Sequence, residues 1–262
     1  MPHQVHIKKK WAISDNLATP ESAYMQRREF LKGTALTTLA TMGVLYGCGP
    51  SSAPNILPEV KWTELEKSIY PAKRNLTYEL DRPITDEKIA STYNNFYEFG
   101  AEKIDPVHYA HKLNQRPWTV QVNGLVNKPM TFDIDDLLKS MPIEERVLRL
   151  RCVEAWAMAV PWTGFALSEL LKRVEPKLEA THVRFETFYE PFTAHGQLAF
   201  WEPWPYVEGL TIKEAMNELA FLATGIYGHP APKQHGAPIR LVVPWKYGFK
   251  NIKSIVKIEL VN

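Results

Sequence analysis

Apolar positions change their spacing several times along this chain, and each change predicts an element. Leu167, Leu170, Leu171 and Val174 recur at helical spacing, so a helix runs from Ala166 to Val174 and Pro176 closes it. Residues 182–188 alternate instead and predict a strand with Arg184, Glu186 and Thr187 near its end. Trp118 to Val122 alternates as well, Asn123-Gly124 is a turn signal and Met130 to Phe132 is extended, which predicts a hairpin with Pro129 at an edge or bend. Asp133 caps a helix through Ser140 that stops before Pro142, and Thr85 caps a shorter one, with Asp86 and Glu87 in its first turn, ending near Tyr93. Val147, Leu148 and Leu150 form a strand that runs into Cys152. Phe221 to Tyr227, Ile239 to Val243 and Ser254 to Val261 are three more. Tyr206 to Leu210 reads as a turn, Thr211 to Met216 as a short helix, and Trp62 to Arg82 as an extended arm wrapping the domain. With no internal repeat or low-complexity tract, residues 62–262 are expected to form one mixed α+β domain.

The N-terminal pattern is different. Gln26-Arg27-Arg28-Glu29-Phe30-Leu31-Lys32 precedes an uncharged run from Gly33 to Gly47, which is too short for a membrane span but suits the apolar part of a signal peptide. The paired arginines resemble a twin-arginine signal, so residues 1–48 are expected to address the protein to the twin-arginine translocase, which exports folded chains to the periplasm. Leu45-Tyr46-Gly47-Cys48 loosely resembles a lipoprotein cleavage site and makes Cys48 a candidate lipid anchor. Residues 49–61, rich in Pro and Ser, read as a linker.

Composition narrows the classes. The chain is 45% hydrophobic and 23% charged, an ordinary globular balance. Residues 1–48 hold six Lys/Arg against three Asp/Glu, so the overall cationic excess belongs there and the rest is close to neutral. A neutral body supplies no electrostatic footprint for nucleic acid. Two cysteines, Cys48 and Cys152, exclude a disulfide framework.

The chemistry concentrates in Arg146 to Trp162, RVLRLRCVEAWAMAVPW. A cysteine directly after Arg149 and Arg151 is expected to have its thiolate favoured by the nearby charge, as a nucleophile or a soft-metal ligand; a buried structural cysteine is the alternative. His108, His111, His182, His195, His229 and His235 lack the spacing of a zinc site, and no Gly-rich loop follows a strand, which removes the dinucleotide and nucleoside-triphosphate readings. His235 brought near Cys152 would make a Cys-His hydrolase. That reading leaves unexplained the cations Arg149, Arg151, Arg240, Lys246, Lys250 and Lys253, which suit a phosphate-bearing cofactor.

YNNFYEFG, RCVEAWAM, PYVEGL and GAPIRLVVPWKYGFK with IKSIV closely resemble the periplasmic molybdopterin-dependent protein-methionine-sulfoxide reductase catalytic subunits, of the sulfite oxidase superfold. The resemblance spans Tyr93 to Val261 and implies a mixed sheet or sandwich domain like the sulfite oxidase molybdopterin domain. It implies one molybdenum held by one pterin dithiolene and the thiolate of Cys152. Cofactor contacts would fall on Asn94, Tyr97, Glu98, Thr187, His235, Arg240, Asn251, Ile252 and Lys253, with Cys152, Tyr97 and Glu98 as the catalytic group. The implied reaction is oxygen-atom transfer from methionine sulfoxide in oxidised periplasmic proteins, with electrons from a membrane haem protein linked to the quinone pool. Another oxygen-atom-transfer enzyme of the same type, or a non-catalytic exported binding lipoprotein, are the alternatives. Two departures from the family pattern stand out. Position 235 is His where Asn is usual, so this contact is expected to titrate, and the chain stops at Asn262, short of the family's C-terminal segment.

Overall fold

The computed structural model describes residues 62–262, so the expected signal peptide, Cys48 and the 49–61 linker lie outside the described residues. Six short α-helices, α1 (Glu64–Ile69), α2 (Glu87–Thr92), α3 (Asp105–Tyr109), α4 (Ile134–Ser140), α5 (Leu167–Val174) and α6 (Ile212–Ala215), accompany two sheets. The first sheet takes the order β2 (Met130–Asp133), β1 (Thr119–Gly124), β10 (Ile255–Val261), β5 (His182–Thr187), β6 (Val207–Thr211). It is mixed, because β1 runs parallel to β10 while the other pairs are antiparallel. The second is antiparallel, with β3 (Glu144–Arg151), β4 (Ala157–Ala166), β7 (Phe221–Ile226) and β8 (His229–Pro230) in order and β9 (Arg240–Val242) also on β7.

The main core unites Val120, Val122, Phe185, Ile258 and Leu260 of the first sheet with the apolar stripe of α5 and with Phe165, Leu222 and Leu241 of the second. The second sheet is therefore covered on this face. Its other face carries a smaller cluster, in which Leu148, Met158, Val160, Trp162, Phe221, Ala223, Ile226 and Val242 meet Ala90 of α2. Alternation along β7 explains the split, since Phe221 and Ala223 point one way and Leu222 the other.

Several expectations need correction. Ala157–Ala166 is a ten-residue strand that no alternation announced, because all but its two terminal residues are buried and Pro161 and Gly164 sit inside it. At Gly164 a Cβ would stand 2.0 Å from the Leu222 carbonyl oxygen, so close backbone approach requires the glycine. Tyr206 to Leu210 is mostly the edge strand β6, not a turn. The arm from Trp62 contains α1, whose capping box joins Thr63 and Glu66 reciprocally. Helix α2 is capped by Asp86, and Thr85 instead bonds β4 through Ala159 N at 3.0 Å.

Candidate active site

A cleft opens on the smaller-cluster face of the second sheet, and its empty space is about 960 Å³ with the open mouth included. That size suits a cofactor or small ligand. Met158, Val160, Trp162 and Ile226 form its apolar wall, and the 93–98 loop, the 152–156 turn and the 248–253 segment close around it.

Cys152 lies buried at the end of β3. The alternation of the strand puts Leu148, Leu150 and Cys152 toward the cleft side and throws Arg149 and Arg151 outward, both exposed and neither in the cleft wall. Arg149 pairs with Asp81. The expectation that these guanidinium groups favour the thiolate is therefore wrong: the residues next in sequence to the sulfur face away from it. Burial pushes the thiol above its ordinary value, with the Glu154 carboxylate adding to the effect and Lys103 opposing it. Two donors do reach the sulfur, Asn95 Nδ2 and the Glu154 backbone N–H, each at 3.5 Å.

A tight turn carries the chain out of the cysteine. Cys152 N donates to Trp156 O at 2.8 Å and Ala155 adopts φ of 67°, a left-handed conformation uncommon for a residue with a Cβ. This turn sets Glu154 at the rim, where Oε2 accepts from Lys103 Nζ at 2.9 Å, Asn95 Nδ2 at 2.9 Å and Trp156 Nε1 at 3.3 Å. Tyr97 OH donates to Oε1 at 3.3 Å. Those donors, led by Lys103, hold the Glu154 carboxyl down to about 2.

In the 93–98 loop, consecutive residues have different jobs. Asn94 Nδ2 donates to Ala90 O and Ser91 O, finishing α2, while Asn95 turns to the sulfur and Phe96 and Phe99 anchor the loop in the main core. Glu98 is buried beside the cleft, and burial raises its carboxyl; Lys253 opposite is pulled below its ordinary value by burial and by Arg240. These two oppositely charged groups share one end of the cleft.

Arg240 is buried as expected, though it opens β9 instead of sitting in mid-strand, and it faces the cleft with no carboxylate partner among the described residues. Its guanidinium donates to His235 O at 2.9 Å and Asn251 O at 3.1 Å and lies 4.7 Å from the centre of the Trp162 ring. Burial alone draws it down to about 9, so it keeps its charge at neutral pH. His235 meets Ser91 Oγ through Nε2 at 3.1 Å. Burial first, then the Arg240 charge, depress its imidazole to about 3, which corrects the expectation that this histidine titrates. Asn251 uses its side chain structurally, accepting from Val243 N at 2.7 Å and donating to Tyr247 O at 3.0 Å.

Of the residues expected to contact a cofactor, Asn94, Tyr97, Glu98, His235, Arg240, Asn251, Ile252 and Lys253 line the cleft together with Cys152. Thr187 stands behind the wall, where its hydroxyl donates to Lys253 O at 2.8 Å and fixes that backbone. Sequence reasoning missed Asn95, Lys103 and Tyr206, and left Glu154 inside the quoted RCVEAWAM run without a role. Asn95 sits inside the quoted YNNFYEFG run, but no local pattern distinguishes its amide from that of Asn94. Lys246 and Lys250, grouped with the cleft cations in the sequence, are bound to Glu214 at 2.5 Å and Glu208 at 2.6 Å.

Among the described residues no three His, Cys, Asp or Glu side chains gather as a metal site. A metal here would have one soft protein ligand, Cys152, and must bring its other ligands with it. The donor set fits such a group: a sulfur with two N–H neighbours, and cations without carboxylates for an anionic tail.

Residues 107–262 match the family described as oxidoreductase molybdopterin binding domain. The chain is 45% identical over 260 residues to the protein-methionine-sulfoxide reductase catalytic subunit of Pseudomonas syringae pv. tomato, covering 93% of this chain and 74% of the relative. It is 46% identical over 244 residues to the same-named subunit of Burkholderia mallei, covering 93% and 72%. The sulfane dehydrogenase SoxCD from Paracoccus pantotrophus superposes with a TM-score of 0.49 at 19% identity, over 85% of this chain and 58% of that one.

Proposed function

The chain belongs to the molybdopterin-binding oxidoreductases and, within them, to the protein-methionine-sulfoxide reductase catalytic subunits, and on that premise we propose that it reduces methionine sulfoxide residues in oxidised proteins at a molybdenum held by Cys152. The observation that carries the reading is the Cys152 sulfur at the foot of a cleft whose far wall bears Arg240 without a carboxylate partner.

The overall change is a sulfoxide, two electrons and two protons becoming a thioether and water. When bound, the molybdenum cofactor supplies the centre that takes up the sulfoxide oxygen and exchanges the electrons. The protein's own groups do the rest. Cys152 Sγ ligates as thiolate, and the Asn95 amide and Glu154 N–H orient its lone pairs. Because burial disfavours the free thiolate, ligation releases a proton and is favoured as pH rises. Arg240 and Lys253 hold the pterin phosphate, with Asn94, His235, Asn251 and Ile252 shaping the wall around the ring system. Thr187 contributes indirectly, by fixing the Lys253 backbone. Glu98, its carboxyl raised by burial, is placed to give or take a proton within the cleft, and Tyr97 borders the mouth.

The same reading includes export of the folded, loaded protein to the periplasm through residues 1–48, a lipid anchor at Cys48 if cleavage falls there, and electrons from a membrane haem protein linked to quinone. It is supported by the Arg27-Arg28 motif, the apolar run after it and the absence of any nicotinamide motif. One purified, natively exported sample tests the function. Molybdenum analysis is expected to return one metal per chain, with reduction of methionine sulfoxide and no oxidation of sulfite. A metal-free folded protein, or sulfite turnover without sulfoxide turnover, overturns it.

A further inference from the structure

The loop between β5 and β6 is the least economical part of the surface. Phe192, Phe200 and Trp201 are 98%, 90% and 71% exposed, with Tyr189 and Leu198 exposed beside them. Large apolar side chains gathered on one loop are unusual on a protein that has no use for them. This loop is nevertheless well built. Buried Gln197 accepts from Glu190 N at 2.7 Å and donates to Phe188 O at 2.8 Å, stapling the loop across its base. Thr193 N and Ala194 N both donate to Glu190 O, and Ala199 N donates to Gly196 O. Backbone order is thus maintained while the rings are left in water.

The loop is continuous with the cleft at three points. It starts from Thr187, which fixes the Lys253 backbone. In its middle, a Cβ on Gly196 would stand 1.9 Å from the Tyr97 carbonyl oxygen, so its backbone is pressed on the cleft-lining Tyr97–Glu98 segment. At its end, Tyr206 is itself in the cleft wall. Exposed Tyr97, Val153 and Phe249 extend the apolar surface from the cleft mouth.

Resting on the sulfoxide-reductase reading, we propose that the 188–206 loop is the docking surface for an unfolded stretch of oxidised protein, gripping apolar side chains that flank the methionine sulfoxide while the sulfoxide enters the cleft. Methionine belongs mostly to apolar interiors, so its neighbours in an unfolded chain are commonly apolar as well. Flat, stiff rings offer large contact area at small entropic cost and tolerate varied sequence. Free methionine sulfoxide has no flanking side chains for the rings to grip.

The test is the exported holoenzyme carrying F192S, F200S and W201S together, all exposed positions, driven by reduced benzyl viologen. With oxidised β-casein, a natively unfolded substrate, kcat/KM is expected to fall at least tenfold through KM, while kcat/KM for free methionine sulfoxide stays within twofold. Unchanged casein turnover overturns the proposal, as does an equal fall for both substrates, which would make the loop a support of the cleft. A loss confined to quinol-driven turnover in membranes also overturns it, assigning the rings to the electron donor. Binding of oxidised casein without reductant is measured in parallel and is expected to weaken at least tenfold. If the unsubstituted protein reduces neither substrate, the functional reading fails, and this binding measurement still decides the role of the loop.

Discussion

The cations outside the cleft and those inside it are the same residue types, and the two lysines outside it lie within a few residues of Lys253, yet they do opposite things. Lys246, Lys250 and Arg149 each end on a carboxylate, of Glu214, Glu208 and Asp81 respectively, and are complete without a ligand. Arg240 ends on two carbonyl oxygens and a tryptophan face. Lys253 has no carboxylate within ion-pair distance among the described residues and lies 5.5 Å from the Phe96 ring centre, with the Glu98 carboxyl acting on it from further away. Buried charge without a close counter-ion costs folding free energy, so its persistence points to an anion that arrives later. Charge count in a sequence says nothing of this. Partner and burial do.

Removing the metal ligand should break the interior set most completely. Cys152→Ala is expected to fall from one molybdenum per chain to none and to lose all sulfoxide reduction, while the chain still folds, as metal analysis and circular dichroism of one preparation would record. A folded variant that keeps its molybdenum would remove the metal-ligand role.

Arg240→Met sharpens the contrast, because it keeps the bulk and deletes the charge. Molybdenum retention and activity are expected to drop about 100-fold or more, the scale of two or more charge-assisted hydrogen bonds to an anion. The cofactor-free chain should change far less. Relief of a buried charge offsets the loss of donors to His235 O and Asn251 O, each worth about 1–3 kcal/mol. Thermal melting of both forms checks the two halves, and equal destabilisation of both would mean that Arg240 is structural.

His235 gives a pH-dependent version of the same test. Its imidazole is depressed from 6.5 to about 3 by burial and by Arg240, so the unfolded chain binds the extra proton between these values and stability falls as pH falls through that window. His235→Asn removes the effect. At pH 4 the variant is expected to be about 3 kcal/mol more stable, relative to the wild type, than at pH 7.5, from roughly 1.4 kcal/mol per pH unit over the window below 6.5. Urea unfolding at the two pH values measures it, and parallel curves for both proteins would disprove it.

These contrasts mark where the sequence was legible. Helix α5 follows from local spacing, because Leu167, Leu170, Leu171 and Val174 need one partner face; the β1–β2 hairpin exists as expected, but Asn123-Gly124 is not its turn, since both residues extend β1 beside Glu259 and Leu260 of β10. Strand β4 was opaque, since a strand buried on both faces shows no alternation, and its pairing with β7 spans distant sequence. The same holds in the cleft. Arg240 announced itself as a charge inside an apolar run, whereas Asn95 and Lys103 acquire meaning only when the fold brings them to Cys152 and Glu154. Sequence adjacency actively misled for Arg149 and Arg151, whose neighbour in the chain is on the opposite face of the strand.

The smallest expected effect is therefore also the most diagnostic. Arg149 is cross-strand from Ala159 and its guanidinium reaches Asp81, with the two side chains 46% and 81% exposed. An exposed pair of this kind contributes about 0–1 kcal/mol. The cleft wall does not include it, and Leu150, which does line the cleft, separates it in sequence from Arg151. Arg149→Ala should leave molybdenum content, the KM for methionine sulfoxide and kcat within about twofold of the wild type, and Lys250→Ala should leave metal content equally untouched, although it strips the largely buried Glu208 carboxylate of its ion-pair partner. A raised KM in Arg149→Ala would require the guanidinium to swing across the strand edge to the substrate, and loss of metal would require it to reach the cofactor. Either result would erase the distinction between outer and interior cations, because a group already paired with a carboxylate would then be serving the ligand as well.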